Sequence, residues 1–188
     1  MLVIGITGTL GSGKGTIVDY LVRAHGFAHF SAREFIIEEV KRRGLPVNRD
    51  SFSPTADDLR EKHGPSYIID ELYTRAEASG KNAVVESLHA VAEVESLRRH
   101  SNFILFAVDA DQHQRYARIQ ARKSVTDQIT FEEFQAHEER EMYQTEAHRQ
   151  NIAGCMAMAD YTFQNNGTIS DLESQVAPVI QKLLGRNK

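Results

Sequence analysis

Short apolar runs alternate along this chain with longer segments in which apolar residues recur every three or four positions. The first pattern is typical of β-strands and the second of helices with one buried face. Strands are predicted near residues 2–7, 27–31, 82–86, 102–108 and 160–164. The fourth, from Phe103 to Val108, is continuously apolar, as expected of a parallel strand that is buried on both faces. The alternation predicts a three-layer α/β/α fold with a five-stranded parallel sheet.

Turn-forming residues place the helices between these strands. Gly26 follows a basic turn at the predicted end of the first helix, and a second helix is predicted over about residues 33–43. Residues 44–53 are predicted to form a loop, after which Pro54 opens a short helix. Another helix is predicted over about 66–79, so three helical segments separate the second strand from the third. Such an insertion either contributes to a binding site or only covers the sheet.

A glycine-rich stretch joins the first strand to the first helix. Glycines allow backbone conformations in which successive N–H groups point inward around an anion, and the helix N-terminus adds partial positive charge there. A lysine within such a loop supplies a mobile full charge for the β- and γ-phosphates. Strand, loop and helix in this order predict a binding site for a nucleoside triphosphate. Its residues are Gly8, Gly11, Ser12, Gly13, Lys14, Gly15 and Thr16.

Length and composition narrow the class further. A chain of 188 residues, 41% hydrophobic and 26% charged, suits one soluble globular domain. The net charge of −4 argues against nucleic acid as a partner. No apolar run approaches the ~18 residues of a membrane span, and the single cysteine, Cys155, excludes an internal disulfide. We therefore expect a cytoplasmic protein with no membrane partner, either a monomer or a homodimer.

Charged residues mark the expected edge of the sheet and the segment that follows the fourth strand. Glu86 ends the third strand, where a carboxylate either faces water or suits Mg²⁺ through metal-bound water. Arg118 and Arg122 are four residues apart and so share a face of the next helix, which is either a ligand-binding or a solvated basic face. Residues 124–150 are strongly polar, with a helix predicted to start at Phe131.

The run from Gly11 to Thr16 resembles the loop of adenylate kinases and related nucleoside monophosphate kinases. This resemblance implies that ATP and Mg²⁺ bind at the loop, and it leaves open whether the Thr16 hydroxyl reaches the metal or only a phosphate. It also implies that the helical insertion, residues 32–79, is where the phosphate acceptor binds.

The segment Arg118-Ile119-Gln120-Ala121-Arg122 resembles the start of the adenylate kinase lid. The resemblance implies that Arg118 lies over the adenine ring and that Arg122 clamps the transferring phosphoryl group, with Arg115 and Arg140 as possible helpers. The polar segment that follows would then be a helical lid, which excludes water from the reaction.

The acceptor side matches the family less well. Ser31-Ala32-Arg33-Glu34 is only loosely similar to the family motif after the second strand, and capping by Ser31 explains it equally well. Arg33, Arg49 and Arg60 are candidates for contacts with an acceptor phosphate, although exposed arginines are common. Where adenylate kinases have Asp-Gly-Phe-Pro-Arg, this chain has Glu86-Ser87-Leu88-His89. Glu86 keeps the carboxylate, which with Thr16 would hold Mg²⁺, but His89 replaces the arginine that grips phosphate.

The C-terminal third resembles dephospho-CoA kinases, because Ala159-Asp160-Tyr161 is followed by Asn165-Asn166-Gly167. In those families this turn passes along the adenine of ATP, so Asn166 is a candidate for contact with the base. A plain turn before a helix capped by Thr168 explains the same residues nearly as well.

Together these resemblances imply a single P-loop kinase domain over residues 1–188. Its core is expected at 1–31, 80–115 and 155–188, its acceptor-binding insertion at about 32–79 and its lid at about 116–150. The expected enzyme is an ATP-dependent phosphotransferase with Lys14, Glu86 and Arg122 as catalytic residues and a nucleoside or deoxynucleoside monophosphate as acceptor. Dephospho-CoA kinase is the alternative enzyme. An ATP-binding regulatory protein with little turnover is the alternative from another class.

Overall fold

The computed structural model describes residues 1–122, 129–146 and 149–185, apart from the side chains of residues 49, 50 and 53. Its centre is a sheet of five strands in the order β2-β3-β1-β4-β5, with every neighbouring pair parallel. Each strand begins one residue after its predicted start, and the predicted α/β fold is confirmed. The strands are β1 (Val3–Gly8), β2 (Ala28–Ser31), β3 (Ala83–Glu86), β4 (Phe103–Asp109) and β5 (Tyr161–Gln164).

Helices cover both faces of this sheet. α1 and α9 pack on one face, and α4, α5 and α8 pack on the other. Side chains that alternate along a strand point to opposite faces, so Val3 belongs to one core cluster and Ile4 to the other. The helices are α1 (Lys14–His25), α2 (Ala32–Arg42), α3 (Arg49–His63), α4 (Tyr67–Ser79), α5 (Val91–Leu97), α6 (Gln112–Ala121), α7 (Phe131–Met142), α8 (Ile152–Ala157) and α9 (Ile169–Gly185).

Two helices differ from the prediction. α3 begins at Arg49 rather than at Pro54, because the Asn48 side chain accepts a hydrogen bond from the Ser51 N–H (3.0 Å) and caps an earlier turn. Pro54 therefore lies inside the helix. α5 was not predicted, since its seven residues are too few for a helical period to be recognised in the sequence.

The three helices between β2 and β3 form a compact unit on the sheet. α2, α3 and α4 pack against one another, and an ion pair between Arg43 and Asp58 (2.8 Å) joins α2 to α3. Buried Phe35 and Leu59 belong to the same core cluster as Val85 of β3. This packing places the C-terminal half of α3 beside the carboxyl ends of the strands. Among the described residues, no helix is long and apolar enough to cross a membrane.

Candidate active site

A large cleft, about 1470 Å³ in volume, opens at the carboxyl ends of the strands. Parallel sheets bind ligands at this edge, where neighbouring connections diverge to opposite faces. Here β1 lies between β3 and β4. One wall, the P-loop wall, consists of residues 10–15. A second wall, the helical wall, includes Arg33, Arg60, His89 and Gln150. Arg122, just after α6, and Arg140 of α7 also line the cleft.

The P-loop backbone takes a shape that requires glycine at defined positions. Gly8 and Gly13 have φ angles of 143° and 104°, which side chains rarely tolerate. A Cβ at Gly8 would also lie 2.1 Å from the Val108 carbonyl oxygen, and one at Gly13 would lie 2.1 Å from Asn165 Nδ2. Both glycines are therefore needed for backbone conformation and for space, whereas nothing crowds the position of a Cβ at Gly15.

Lys14 starts α1 and folds back over the loop. Its Nζ donates hydrogen bonds to the carbonyl oxygens of Gly8 (2.8 Å) and Thr9 (3.0 Å). Burial lowers the pKa of Lys14 to about 8, although the nearby Glu86 carboxylate acts in the opposite direction. At neutral pH the side chain is a desolvated cation at the N-terminus of a helix, and a bound polyphosphate would favour its charged form.

Residues far away in the sequence hold this loop in place. Thr9 Oγ1 donates to Asp109 Oδ1 (2.8 Å) at the end of β4, and Asn165 Nδ2 donates to the Ser12 carbonyl oxygen (2.8 Å). Neither of these loop contacts was predicted from the sequence. Such contacts join positions 100 and 153 residues apart, and no local pattern signals them.

The Arg115 side chain is buried, and its hydrogen bonds are made within the protein. Its side chain is 5% exposed, and it donates to the carbonyl oxygens of Ala110 (2.9 Å) and Leu10 (3.3 Å) and to Glu138 Oε1 (2.6 Å). These bonds connect α6, the P-loop and α7. The structure thus places Arg115 as a link that positions α7 beside the loop, not as a free cation in the cleft.

The candidate metal carboxylate, Glu86, is paired with His29. His29 Nε2 lies 3.0 Å from Glu86 Oε2, and this hydrogen bond lowers the pKa of Glu86 and raises that of His29. Glu86 lies opposite Ile6 in the neighbouring β1 strand, one strand away from the loop. It lines the cleft, but Thr16 does not.

The loop residues fit a polyphosphate with its metal. Ser12 Oγ is buried and has no hydrogen-bond partner within the described parts of the chain. Such an orphaned hydroxyl in a glycine-rich loop beside a lysine suits phosphate oxygens. The hard carboxylate oxygens of Glu86 suit Mg²⁺ through its retained waters.

The predicted adenine contacts lie beside the cleft. Arg118 Nη2 donates to the Asn165 carbonyl oxygen (2.8 Å), while Arg118 Nη1 is buried and finds no partner in the described structure. The Asn166 side-chain oxygen accepts a hydrogen bond from the Asp111 N–H (2.7 Å). The structure therefore brings Arg118 to the turn that contains Asn166, but it uses the Asn166 side chain to hold the start of α6.

On the helical wall a buried carboxylate, Glu93, holds Arg60 and the backbone of His89 in place. Glu93 is 1% exposed and accepts hydrogen bonds from Arg60 Nη2 (3.1 Å) and from the N–H groups of His89 (2.9 Å) and Ala90 (3.1 Å). Burial, with the nearby charges of Lys14 and Arg60, lowers the pKa of His89 to about 3, so its imidazole is neutral at pH 7. Nothing in the sequence pattern distinguished Glu93 from the exposed acids around it.

The remaining predicted residues are described only in part. Arg33 is exposed on α2 and its guanidinium carbon lies 5.8 Å from the centre of the Phe52 ring. The Arg49 side chain lies outside the described residues. The predicted lid includes residues 123–128 and 147–148, which also lie outside them. Thr130 caps α7 by accepting from the Glu133 N–H (3.2 Å), and Arg140 faces the cleft from that helix.

Comparison with solved structures agrees with the class that this fold and loop define, a P-loop protein with a kinase-like α/β fold. Shikimate kinase from Bacteroides thetaiotaomicron superposes with a TM-score of 0.59 at 13% identity, covering 96% of this chain and 98% of that one. A gluconokinase from Sinorhizobium meliloti gives a TM-score of 0.58 at 12% identity, covering 100% and 98%. These likenesses concern the fold alone.

Sequence comparison identifies the family. The family described as AAA domain (AAA_18) matches residues 4–153. A UPF0200 protein of Methanoculleus marisnigri is 30% identical over 190 residues, covering 100% of both chains. The UPF0200 protein TK1334 of Thermococcus kodakarensis is 27% identical over 191 residues, covering 98% of this chain and 100% of its own. The chain belongs to the AAA domain family and to the UPF0200 family.

Proposed function

We propose that the protein is an ATP-dependent kinase that phosphorylates a small molecule, and that the acceptor is a nucleoside or deoxynucleoside monophosphate. The observation that carries the proposal is one cleft with two unlike walls. The P-loop wall presents the glycine-rich loop and Lys14, and the helical wall presents polar side chains from the insertion and from the segments at His89 and Gln150. A kinase needs both, because donor and acceptor must be held in contact while water is kept out.

The roles of the residues follow from their positions. Lys14 and the backbone of residues 11–15 would hold the donor phosphates, and Glu86, which lines the cleft, would hold Mg²⁺ through its waters. Mg·ATP, when bound, supplies the phosphoryl group and a divalent charge. Arg122 and Arg140 line the cleft and would neutralise the charge spread over the transferring group. Arg118 would contact the adenine. The division into core, insertion and lid is part of this proposal.

Dephospho-CoA kinase is the second candidate, since the C-terminal turn resembles that family. Its acceptor is a hydroxyl. A gluconokinase and a sugar kinase (TM-score 0.56) are among the solved structures that share this fold. β2 ends at Ser31, and Ala32, Arg33 and Glu34 follow it. This stretch contains no aspartate that could orient a hydroxyl, which weighs against dephospho-CoA kinase. An ATP-binding regulatory protein remains the candidate from another class.

Release of ADP in a coupled assay tests the proposal. The panel contains nucleoside monophosphates, deoxynucleoside monophosphates and dephospho-CoA. Stimulation by a monophosphate supports the first candidate, and stimulation by dephospho-CoA supports the second. A flat panel together with confirmed ATP binding would favour the regulatory protein.

Arg122→Ala then tests the catalytic assignment. We expect turnover to fall by about 10²–10³-fold with the ATP affinity nearly unchanged, because a cation that acts on the transition state contributes mainly to kcat. Arg99→Ala is the matched control, since Arg99 is exposed and lies outside the cleft. Full turnover in Arg122→Ala would contradict the assignment.

A further inference from the structure

Three buried polar atoms on the helical wall have no hydrogen-bond partner within the described residues. They are Arg60 Nε, His89 Nε2 and Gln150 Oε1. All three residues line the cleft. Buried polar atoms in proteins are nearly always paired, and an unpaired one is costly. Several such atoms on one wall of a cleft are therefore expected to meet a ligand.

Hydrogen bonds tie these residues into one unit. Glu93 accepts from both Arg60 Nη2 and the His89 N–H, so it fixes the positions of both residues. The His89 carbonyl oxygen accepts from the N–H of Asn151 (2.6 Å), the residue that follows Gln150. The three orphaned atoms thus belong to neighbouring side chains that share a rigid support.

Within this unit the one formal positive charge, that of Arg60, is paired. The Arg60 side chain is 10% exposed, and its guanidinium is paired with the buried Glu93, with Asp57 a further 3.8 Å contact. His89 is neutral at pH 7, because burial lowers its pKa to about 3. The unit itself therefore offers a phosphate no unpaired positive charge. A neutral polar group loses less on burial and can satisfy the orphaned atoms.

The hydrogen-bonding capacity of the unit is mixed. Arg60 Nε donates, Gln150 Oε1 accepts, and a neutral imidazole nitrogen does either according to its tautomer. A group that carries a donor beside an acceptor satisfies this set. Two sources have that chemistry: the edge of a nucleobase and the vicinal hydroxyls of a sugar.

We propose that Arg60, His89 and Gln150 form a subsite that binds a neutral, hydrogen-bonding part of the acceptor and sets acceptor specificity. This subsite rests on the proposed function for its role in a reaction. It differs from the adenylate kinase motif, in which an arginine at the position of His89 binds phosphate. An acceptor that carries a phosphate would direct that phosphate toward Arg33 and Arg122 instead.

Calorimetric binding tests the subsite without turnover. The probes are adenosine, guanosine, uridine and thymidine, D-ribose and D-glucose, and inorganic phosphate, each titrated into protein that has been saturated with ADP. We expect at least one neutral probe to bind. Gln150→Met keeps the side-chain length but removes the acceptor oxygen, so it should weaken that binding by about tenfold. Gln181→Met on the exposed face of α9 is the matched control and should change it less than about twofold.

The two sources give different outcomes that both support the subsite. Sensitivity of a nucleoside to Gln150→Met assigns the neutral group to a nucleobase, and sensitivity of a sugar assigns it to hydroxyls. Three results would overturn the proposal: no neutral probe binds, Gln150→Met leaves every affinity unchanged, or inorganic phosphate competes with the neutral probe.

His89 provides a second pair of variants in case Gln150→Met does not fold. His89→Gln keeps a neutral donor and acceptor and should retain affinity within about threefold, whereas His89→Leu should lose about tenfold. Equal affinities would overturn the proposal. Binding without phosphoryl transfer to any acceptor would contradict the proposed function but not the subsite. A working kinase whose acceptor KM ignores both Gln150 and His89 would contradict the subsite alone.

Discussion

The P-loop wall and the helical wall are built in opposite ways. The P-loop wall is a run of consecutive residues whose backbone is shaped by glycines at positive φ. The helical wall gathers side chains from α3, from the connection between β3 and α5, and from the segment before α8. Its organiser, Glu93, is 33 residues away from its partner Arg60.

This difference in construction separates what each wall recognises. A glycine-rich loop binds any chain of phosphates, because its amide hydrogens and lysine interact with negative charge and not with the shape of the rest of the ligand. A pocket of side chains with a compensated charge recognises the arrangement of donors and acceptors. We therefore expect the P-loop wall to set affinity for the donor, and the helical wall to set the identity of the acceptor.

The strongest test of the P-loop wall is removal of its charge. Lys14→Met keeps most of the volume of the side chain but loses the ammonium, and we expect turnover to fall by about 10²–10³-fold. The acceptor affinity measured by calorimetry should stay within about twofold, because the two walls act on different ligands. A parallel loss of acceptor affinity would show that the walls are not independent.

The corresponding test of the helical wall removes Glu93. Glu93→Ala leaves the guanidinium of Arg60 and two backbone N–H groups buried without their partner, so the free energy of unfolding should fall by about 3–5 kcal/mol. Denaturant unfolding measures this loss. Glu95→Ala is the control on the same helix, where the exposed carboxylate should contribute less than about 0.5 kcal/mol. Similar losses in both variants would mean that Glu93 does not organise the wall.

A third test uses pH. The pKa of Lys14 is lowered to about 8, so the ammonium loses its proton as the pH rises through that value. The protonated form is the one that attracts phosphates. ATP affinity should therefore be constant below about pH 7.5 and should fall toward tenfold per pH unit above 8. Lys14→Arg should remove this dependence, because a guanidinium stays charged over the whole range. Identical pH profiles for both proteins would contradict the assignment to Lys14.

Local patterns were enough to predict the sheet and the phosphate-binding loop. The strands are recognised by apolar runs, and the loop by neighbouring residues such as Gly13 and Lys14. Both features can therefore be predicted from short stretches of sequence. The predicted start of α3 was wrong, because Pro54 is typical of a first helical residue whereas Asn48 caps the helix five residues earlier than expected. The helical wall could not be predicted, because the pairing of Arg60 with Glu93 depends on how distant segments pack.

The smallest effect is expected at Ser87, between Glu86 and His89. Ser87 has a φ of 73°, the one positive value for a non-glycine residue among the described positions, whereas the P-loop wall uses glycine wherever it needs this geometry. Ser87→Gly should therefore stabilise the protein by about 1 kcal/mol, which raises Tm by about 2–4 °C for a chain of this size. Ser87→Ala keeps the strain and is the control.

Because Ser87 lines the cleft, a serine held at this cost implies a use for its hydroxyl. Acceptor KM should then rise in both variants, and an unchanged KM with a stabilised glycine variant would limit the specificity of the helical wall to Arg60, His89 and Gln150.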